Sequence, residues 1–455
     1  MKIIILGAGQ VGSSLAISLA NEGHDITLVD ADPLILQDIQ GRADLRTVVG
    51  KASHPTLLEE AGARDADMII ALTQSDETNM VACQVAYTLF HTPTKIARIR
   101  ALEYFSHDNL FVQEALPVDV LISPEYLISQ YIQRLIEHPD SLQVLDFADG
   151  RIKLLALRAS KRMIGRRLGN IWELMPETEA KVVAVYRNNR SIPINDLTII
   201  LENDEVFFLA SSENAMAMTG QWRGDDHPYK RILLAGGGNI GYHLAKSMED
   251  DYQIKIIDRN TKRTKLLSES LNKTIVLQGD AADQDMLREE NIDDIDVFCA
   301  LTNDDEANIL SSMLAKRLGA NKVMSLINRP SYVELVESGI VDIAISPRQV
   351  TLGTLLAHIR KGDVVAVHSL RRGAAEAMEA VAHGDRKTSK VVGRSIDEIK
   401  LPKGATIGAI ARGDLVVMAE PDIIIEPEDH VILFLADKGG VREIERLFQV
   451  SATFI

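Results

Sequence analysis

An internal duplication constrains the fold of this 455-residue chain more than any other feature. The segment Gly7-Ala8-Gly9-Gln10-Val11-Gly12 returns 229 positions later as Gly236-Gly237-Gly238-Asn239-Ile240-Gly241. At the same spacing, Ala71-Leu72-Thr73 returns as Ala300-Leu301-Thr302. Colinear matches over such a distance are typical of a duplicated domain. The sequence therefore predicts two copies of one unit.

Each copy begins with a rhythm of short apolar runs and amphipathic stretches, which is typical of a doubly wound parallel sheet. In the first copy the predicted strands are 3–7, 25–30, 46–49, 67–72, 95–100 and 118–122. The predicted helices are 13–22, 33–40, 55–61, 75–90 and 102–115. The remainder of each copy has short alternating strands and polar turns, which indicate a small α+β lobe.

These patterns predict an α/β fold with two tandem Rossmann-like doubly wound parallel sheets, each followed by a small α+β C-terminal lobe. The predicted domains are a Rossmann lobe at 1–123, a small lobe at 141–222, a second Rossmann lobe at 230–347 and a second small lobe at 365–450. The polar, turn-rich segment 224–228 marks the boundary between the copies. A stretch with helical apolar spacing, 122–140, joins the first two lobes and is expected to pack either on its own domain or on a second subunit.

Charge and hydropathy argue against a nucleic-acid partner and against a membrane-spanning segment. The chain has 49 Lys and Arg against 65 Asp and Glu, a formal net charge of -16, which repels nucleic-acid backbones. We therefore expect no nucleic-acid partner. No stretch is long and apolar enough for a bilayer span, and Met1 leads directly into a strand-like run without a secretory signal. The sequence predicts a cytoplasmic protein.

No catalytic or metal site can be assembled from sequence spacing. The two cysteines, Cys83 and Cys299, form no CxxC or Cys/His pattern, and buried thiols are the simpler interpretation. None of the 11 histidines has metal-ligand spacing or stands out as a general base. We predict no catalytic residue and no metal. An NAD-dependent oxidoreductase acting on a small substrate remains the alternative, because the glycine motifs are those of dinucleotide enzymes.

The glycine motifs predict nucleotide sites. A phosphate that lies against backbone N–H groups at a helix start needs residues without Cβ for the tight turn, the close approach and the helix packing. Each motif follows a predicted strand, opens a helix and precedes a second strand that ends in an acidic residue, Asp30 or Asp258, suited to a ribose 2′-OH. The acid would repel a 2′-phosphate, so the ligands favoured are NAD, NADH, ATP or ADP. Arg259 beside Asp258 leaves a 2′-phosphate possible at the second site.

The two predicted sites are unequal. Arg98, late in the fifth strand, is placed to reach phosphate oxygens, and its counterpart is Ser325. Asp280 occupies the position of Lys51. The alternative for either site is a decayed copy, whose glycines preserve only helix packing.

The ends of the fourth strands supply further candidate nucleotide contacts, Thr73-Gln74 and Thr302-Asn303. Each pair has a second interpretation, as a cap of the helix that follows.

Four segments carry a resemblance to a known family. They are Gly-Ala-Gly-Gln-Val-Gly at 7–12, Asp-Glu-Thr-Asn at 76–79, Ser-Leu-Arg-Arg-Gly-Ala-Ala-Glu-Ala at 369–377 and Ser-Lys-Val-Val-Gly-Arg at 389–394. The whole chain resembles the TrkA family, the cytoplasmic regulatory subunits of bacterial Trk potassium uptake, which carry two tandem potassium-conductance-regulating (RCK) domains.

The resemblance implies a function without catalysis. Members bind adenine nucleotides and assemble as a ring under a membrane pore subunit, so it implies a homotetramer, peripheral on the inner face of the cell membrane, that controls potassium flow through a Trk-type partner. It implies one nucleotide site at 7–11 with Asp30, Thr73, Gln74 and Arg98, and another at 236–240 with Asp258. Lys51 departs from the acidic residue common at this position in the family.

Overall fold

The computed structural model of the chain describes residues 1–175, 178–188, 190–223, 228–336, 341–359, 364–370, 375–436 and 440–450. Contacts within the chain divide it into two compact units, Met1–Leu127 and Ile128–Ile455. Residues 224–227 of the predicted boundary segment and residues 371–374 of the third family segment lie outside the described residues.

The first unit is built on a six-stranded sheet. Its strands are β1 (Lys2–Leu6), β2 (Asp25–Asp30), β3 (Arg46–Val49), β4 (Met68–Ala71), β5 (Thr94–Arg98) and β6 (Val120–Ile122). All neighbours are parallel and the order is β3-β2-β1-β4-β5-β6, so the topology reverses between β1 and β4. Runs such as Ile3-Ile4-Ile5 are buried, as expected for strands covered on both faces.

Five helices connect or follow these strands: α1 (Gln10–Asn21), α2 (Pro33–Gln40), α3 (Pro55–Glu60), α4 (Asp76–Phe90) and α5 (Pro124–Glu137). The helix predicted at 102–115 is wrong, because the chain forms only short 3-10 turns at Leu102–Ser106 and Asp108–Leu110 there. The physical reason is local: Ser106-His107-Asp108-Asn109 are four consecutive weak helix formers.

The second copy of the Rossmann lobe repeats this topology inside the second unit. Its strands are β12 (Arg231–Ala235), β13 (Gln253–Asp258), β14 (Ile275–Gln278), β15 (Val297–Ala300), β16 (Lys322–Leu326) and β17 (Ile343–Ile345), in the parallel order β14-β13-β12-β15-β16-β17. Its helices are α7 (Asn239–Met248), α8 (Thr261–Ser270), α9 (Gln284–Glu289), α10 (Asp305–Leu318), α11 (Pro330–Val336) and α12 (Pro347–Ala357). The predicted doubly wound sheets are confirmed.

The two small lobes are five-stranded antiparallel sheets, each followed by a helix. The first contains β7 (Ser141–Phe147), β8 (Ile152–Arg158), β9 (Ala180–Arg187), β10 (Arg190–Ile192), β11 (Glu205–Ser211) and α6 (Ser212–Arg223), in the order β10-β9-β11-β8-β7. The second contains β18 (Val364–Leu370), β19 (Ala375–Ala382), β20 (Ala405–Arg412), β21 (Leu415–Met418), β22 (Asp429–Leu435) and α13 (Val441–Phe448), in the order β18-β19-β22-β20-β21.

One buried ion pair is repeated in both small lobes. The Arg187 guanidinium donates two hydrogen bonds of 2.8 Å to the fully buried carboxylate of Asp204. Arg412 and Asp429 form the same fork, with bonds of 2.9 and 2.8 Å. Burial alone would raise the pKa of Asp204, but the hydrogen bonds from Arg187 and the Leu201 amide outweigh it and lower that pKa. The pairs hold equivalent strand ends together in the two lobes.

The small lobes share one apolar core. Side chains of β8, β9 and β11 pack with side chains of β19, β20 and β22, and the rings of Phe207 and Phe434 lie 5.9 Å apart. The Ala148 amide donates to Oε2 of Glu379 at 2.7 Å, so a polar contact also joins the lobes. Burial of this shared core makes the two lobes a single packed body.

The connecting helix α5 packs within the chain. Its residues Ile128, Ile132, Leu135 and Ile136 are at most 2% exposed and belong to a core that continues through the first small lobe into β12 and β13 of the second Rossmann lobe. Its apolar face is therefore covered within this chain, by the first small lobe and also by the second Rossmann lobe.

Lys322 connects the second Rossmann sheet to helix α5 and strand β7 through hydrogen bonds. The side chain is 5% exposed, and its ammonium group donates 3.2 Å hydrogen bonds to the carbonyl oxygens of Leu135 and Ser141. It also lies 5.7 Å from the ring centre of Tyr229. A cation is favourable at the last turn of α5, because the helix dipole is negative there. Lys322 thus ties the second Rossmann sheet to α5 and to the start of β7.

Within the described part of the chain, no helix combines the length and apolar character that crossing a bilayer requires.

Replacing Lys322 with Met should destabilise the second unit. Two buried carbonyl oxygens would lose their donor, at a cost of about 1–3 kcal/mol. Both tryptophans, Trp172 and Trp222, lie in this unit, so a denaturant titration followed by tryptophan fluorescence reads its unfolding. Lys265→Met, at an exposed lysine of α8, is the matched control. Equal midpoints for the two variants would contradict the role given to Lys322.

Glu249→Gln should destabilise the same unit in a pH-dependent way. The 4% exposed Glu249 carboxylate accepts bonds of 3.0 to 3.1 Å from the amides of Asn272 and Lys273, the Thr274 hydroxyl and the Lys246 ammonium. Burial opposes ionisation, but these bonds lower its pKa from 4.5 to about 2. The stabilisation is therefore complete above pH 4.5 and lost as the pH falls through about 2.

The variant should unfold at lower denaturant than the parent at pH 7, and the difference should shrink on acidification through that window. Tryptophan fluorescence provides the measurement, and Glu269→Gln, at an exposed position of α8, is the control. A difference that is constant from pH 7 to pH 2 would show that the charge of Glu249 does not contribute.

Candidate functional site

Each glycine motif forms a tight turn between the first strand and the first helix of its Rossmann lobe. Gly7 and Gly236 adopt φ values of 104° and 111°, a conformation that favours glycine. A Cβ at Gly12 would collide with the carbonyl oxygen of Gly7, and Gly241 stands in the same relation to Gly236. The helix can therefore start directly against the turn only because these positions lack side chains.

An acidic residue holds each turn in place. Oδ2 of Asp30 accepts a 2.6 Å hydrogen bond from the Ala8 amide, and Oδ2 of Asp258 accepts one of 2.8 Å from the Gly237 amide. The other oxygen of each carboxylate accepts from the backbone two residues later, at 2.9 Å from Asp32 and 2.8 Å from Asn260. A carboxylate oxygen has two lone pairs, so both acids keep capacity for a hydroxyl donor.

The starts of α1 and α7 have no side-chain caps. Gly9 and Gly238 are the N-cap residues, and neither helix carries an acidic residue in its first turn. The neighbouring helices α2 and α8 are instead capped by side chains, those of Asp32 and Asn260. The first N–H groups of α1 and α7 thus remain available for an anion, which the helix dipole also favours.

The space in front of these N-caps is open. A Cβ built at Gly9 or Gly238 would meet no atom within 4 Å. Both glycines are exposed, as are Gln10 and Asn239, whereas Val11 and Ile240 are half-buried and Ala8 and Gly237 are buried. The residues of each motif therefore present a bare backbone surface, which fits the close approach of a pyrophosphate.

An asparagine organises the neighbouring strand end in both copies. Oδ1 of Asn79 accepts from the amide of Thr73 at 3.0 Å and from its hydroxyl at 2.6 Å, while its Nδ2 donates to the Arg98 carbonyl at 2.8 Å. Asn308 makes the same contacts with Thr302 at 3.0 and 2.6 Å and with the Leu326 carbonyl at 2.9 Å. Each asparagine thereby joins the ends of two adjacent strands.

The positioning role of Asn79 and Asn308 was not predicted from the sequence. The available signal was their recurrence at the same 229-residue spacing as the threonines they bind.

The threonine pairs are not helix caps. Ser75 caps α4 by accepting from the Thr78 amide at 3.1 Å, and Asp304 caps α10 by accepting from the Ala307 amide at 2.9 Å. Thr73 and Thr302 are half-buried at the carboxyl ends of β4 and β15, and Gln74 and Asn303 are exposed beside them. The capping interpretation is therefore wrong, and these side chains border the sheet edge that carries the glycine turns.

Arg98 lies at the carboxyl end of β5 and is incompletely paired. Its Nη2 is 3.3 Å from Oε1 of Glu125, which Arg100 shares at the same distance. Its buried Nε has no hydrogen-bond acceptor among the described residues. Burial lowers the pKa of the guanidinium. The counterpart of Arg98 in the second copy, Ser325, is completely buried.

The second site carries its own ion pair. Arg259, next to Asp258, contacts Oδ2 of Asp280 at 2.6 Å, and this hydrogen bond, together with the Ala282 amide, lowers the pKa of Asp280 against the effect of burial. Arg263 donates to the Gly237 carbonyl at 2.5 Å. Arg259, the arginine that could meet a 2′-phosphate, is thus paired with Asp280 in this structure. In the first site Lys51 is exposed.

The two cysteines are buried, and the described residues form no metal cluster. Cys83 and Cys299 are free and buried, and burial raises the pKa of both thiols to about 12, so they stay protonated. Across the described ranges, no group of three or more His, Cys, Asp and Glu side chains is arranged to hold a metal ion.

The chain matches family models in both copies. The TrkA-N domain matches residues 3–124 and again residues 232–347, and the TrkA-C domain matches residues 386–449. The two TrkA-N matches cover the two sheets that carry the glycine turns.

Similar solved structures share the fold. The GsuK RCK domain has a TM-score of 0.63 at 18% identity, covering 98% of this chain and 94% of that chain. The GsuK channel bound to NAD has a TM-score of 0.62 at 18% identity, covering 98% of this chain and 78% of that chain.

Similar relatives extend over the full length. The Trk system potassium uptake protein TrkA of Halomonas elongata is 54% identical over 456 residues, and that of Vibrio alginolyticus is 54% identical over 458 residues. The TrkA protein of Haemophilus influenzae is 49% identical over 458 residues. All three alignments cover 100% of this chain and 100% of the relative. The chain belongs to the TrkA family of Trk-system potassium uptake proteins.

Proposed function

We propose that this chain is a peripheral regulatory subunit that binds adenine nucleotides and thereby controls potassium flow through a membrane pore subunit of the Trk type. The observation that carries the proposal is the duplicated turn, in which an uncapped helix start faces open space beside an acidic residue. The assignment to potassium transport is supported by membership of the TrkA family.

The nucleotides proposed are NAD or NADH and ATP or ADP. Backbone amides at the starts of α1 and α7 would hold phosphate groups, while Asp30 and Asp258 would accept from ribose hydroxyls. The first site would add Thr73, Gln74 and Arg98, and the second Thr302, Asn303 and Asp280. Because Arg98 has no equivalent in the second site and Arg259 is paired there, we expect the sites to differ in affinity.

Control of the partner would follow from differential affinity. A nucleotide shifts an equilibrium between two shapes only by binding one of them more tightly, and a tenfold preference is worth about 1.4 kcal/mol per site. Two sites in each chain and several chains in a ring multiply that effect. We propose a homotetrameric ring on the cytoplasmic face of the membrane, built from the four domains at 1–123, 141–222, 230–347 and 365–450.

The proposal does not include catalysis. The residues around the glycine turns include acids that accept from backbone amides, threonines bound by asparagines, and arginines in contact with carboxylates. The carboxylates of Asp30 and Asp258 already accept backbone hydrogen bonds, and the proposal gives neither of them the role of a general base. The chain would bind nucleotides and release them unchanged.

Gly9→Ala should weaken nucleotide binding at the first site while the protein stays folded. The new methyl group meets no protein atom within 4 Å but fills the space of the closest phosphate approach, so affinity should fall at least tenfold. Gly238→Ala tests the second site in the same way. Calorimetric titration with NAD, NADH, ATP and ADP measures both.

Gly41→Ala is the matched control, because a Cβ there also meets no atom within 4 Å and Gly41 lies at the far end of α2. Nucleotide affinities equal to those of the parent in both Gly9→Ala and Gly238→Ala would overturn the site assignment.

Nucleotides should change potassium flux only through intact glycine turns. In vesicles that contain a Trk-type pore subunit with this chain added, we expect nucleotide-dependent flux with the parent and with Gly41→Ala. The double variant Gly9→Ala, Gly238→Ala should remove that dependence. Flux that responds to nucleotide equally in all three proteins would contradict control by these sites. Oxidation of NADH by the chain alone would revive the oxidoreductase alternative.

A further inference from the structure

One surface of the first small lobe is formed by two neighbouring segments, 161–167 and 197–201, which we call together the basic–apolar face. The Gly165 amide donates to the Ile200 carbonyl at 2.8 Å, and the Ile200 amide donates to the Arg166 carbonyl at 2.9 Å. These hydrogen bonds place the two segments side by side. Both segments belong to the small lobe, so the face is distinct from the nucleotide sites proposed in the Rossmann lobes.

The second segment exposes three aliphatic side chains. Leu197 is 68% exposed, Ile199 47% and Leu201 42%, whereas Ile200 is completely buried. Side chains alternate between the two faces of an extended chain, so burial of Ile200 turns its neighbours outward. The result is a short apolar stripe on the surface of the lobe, and a contiguous stripe of this kind is typical of an interaction site.

The first segment contributes positive charge. Its exposed basic side chains are Lys161, Arg162, Arg166 and Arg167. Residues 158–172 contain no Asp or Glu. Arg162 donates to the Gln221 carbonyl and Arg166 to the Arg162 carbonyl, both at 3.1 Å, and such bonds leave the positive charges in place. The ion pairs in the described part of this lobe use other basic side chains.

The second small lobe lacks this combination. Its equivalent antiparallel bridge joins Ser395 to Ile424, so a serine stands in place of Arg167. Asp422 and Glu426 lie two residues before and after Ile424, where the first lobe has its two exposed leucines. The fold of the lobe therefore requires neither the apolar stripe nor the arginine. The basic–apolar face is a property of the first lobe alone.

Exposed aliphatic side chains beside basic ones match the surface of an anionic bilayer. Aliphatic groups enter the boundary between headgroups and acyl chains, while Lys and Arg are attracted to the lipid phosphates. The charge complementarity is local, because the chain as a whole has a formal net charge of -16 and is repelled by the same surface. A membrane would therefore attract this face and repel most others.

We propose that the basic–apolar face binds directly to the anionic phospholipid surface of a membrane. The aliphatic side chains of 197–201 enter the headgroup boundary, and the basic side chains of 161–167 contact the lipid phosphates. The proposal rests on the peripheral location given under the proposed function, but it requires neither the pore subunit nor a bound nucleotide. It adds a lipid contact that orients the first small lobe toward the bilayer.

Cosedimentation of the full chain with vesicles, without pore subunit or nucleotide, tests the proposal. We expect binding to vesicles of equal parts phosphatidylcholine and phosphatidylglycerol, weakened by salt, and much weaker binding to phosphatidylcholine alone. The double variant Arg166→Gln, Arg167→Gln should lower the affinity for the anionic vesicles roughly tenfold, because each arginine near such a surface contributes severalfold. Leu197→Ser should also weaken binding, because it removes an inserted aliphatic group.

The second small lobe provides matched controls. The double variant Arg386→Gln, Lys387→Gln removes the same charge from exposed positions of the corresponding segment. Leu415→Ser removes a leucine that is 68% exposed, like Leu197. Both controls should bind the anionic vesicles like the parent. The double variant Gly9→Ala, Gly238→Ala should do so as well, which separates the lipid contact from the nucleotide sites.

Absence of vesicle binding, equal binding to both vesicle types, or equal effects of the face variants and their controls would overturn the proposal. A smaller oligomer in Leu197→Ser, measured by analytical ultracentrifugation, would assign the stripe to a second copy of the chain instead. Binding that appears only when the vesicles contain the pore subunit would assign the face to a protein partner, which also contradicts the proposal. Loss of nucleotide-dependent flux alone would bear on the proposed function and not on the lipid contact.

Discussion

The absence of a side chain at Gly12 and Gly241 is the constraint on which both candidate sites depend. A Cβ at either position would occupy the place of the carbonyl oxygen of the preceding turn, so any other residue would push the helix away from the strand. With glycine there, the first N–H groups of α1 and α7 lie directly beside the carboxyl edge of the sheet. Asp30 and Asp258 can then reach the turn amides from the neighbouring strand. Both sites thus depend on the close packing of the helix against the strand, which only glycine at these positions allows.

The two copies share this packing, but the buried lysine that begins the fifth strand region of each copy, Lys95 or Lys322, has different partners. In the first copy, Lys95 is 2% exposed and pairs with Oδ2 of Asp119 at 2.8 Å within its own lobe. In the second copy, Asp342 is engaged by Lys316, and Lys322 binds backbone carbonyls of α5 and β7 instead. Burying a lysine is costly unless its donors are satisfied, and both solutions satisfy them. One copy thereby gains a local ion pair and the other a connection between lobes.

The sequence was most informative where local pattern decides structure. The strands 25–30 and 46–49 and the helix 33–40 have the predicted bounds, because short apolar runs and the Asp32-Pro33 start are local signals. The predicted helix at 102–115 failed where four weak helix formers follow one another. The role of Arg263 and the core shared by the small lobes depend on contacts between residues that are far apart in the sequence. No periodicity encodes such contacts, so they could not be predicted.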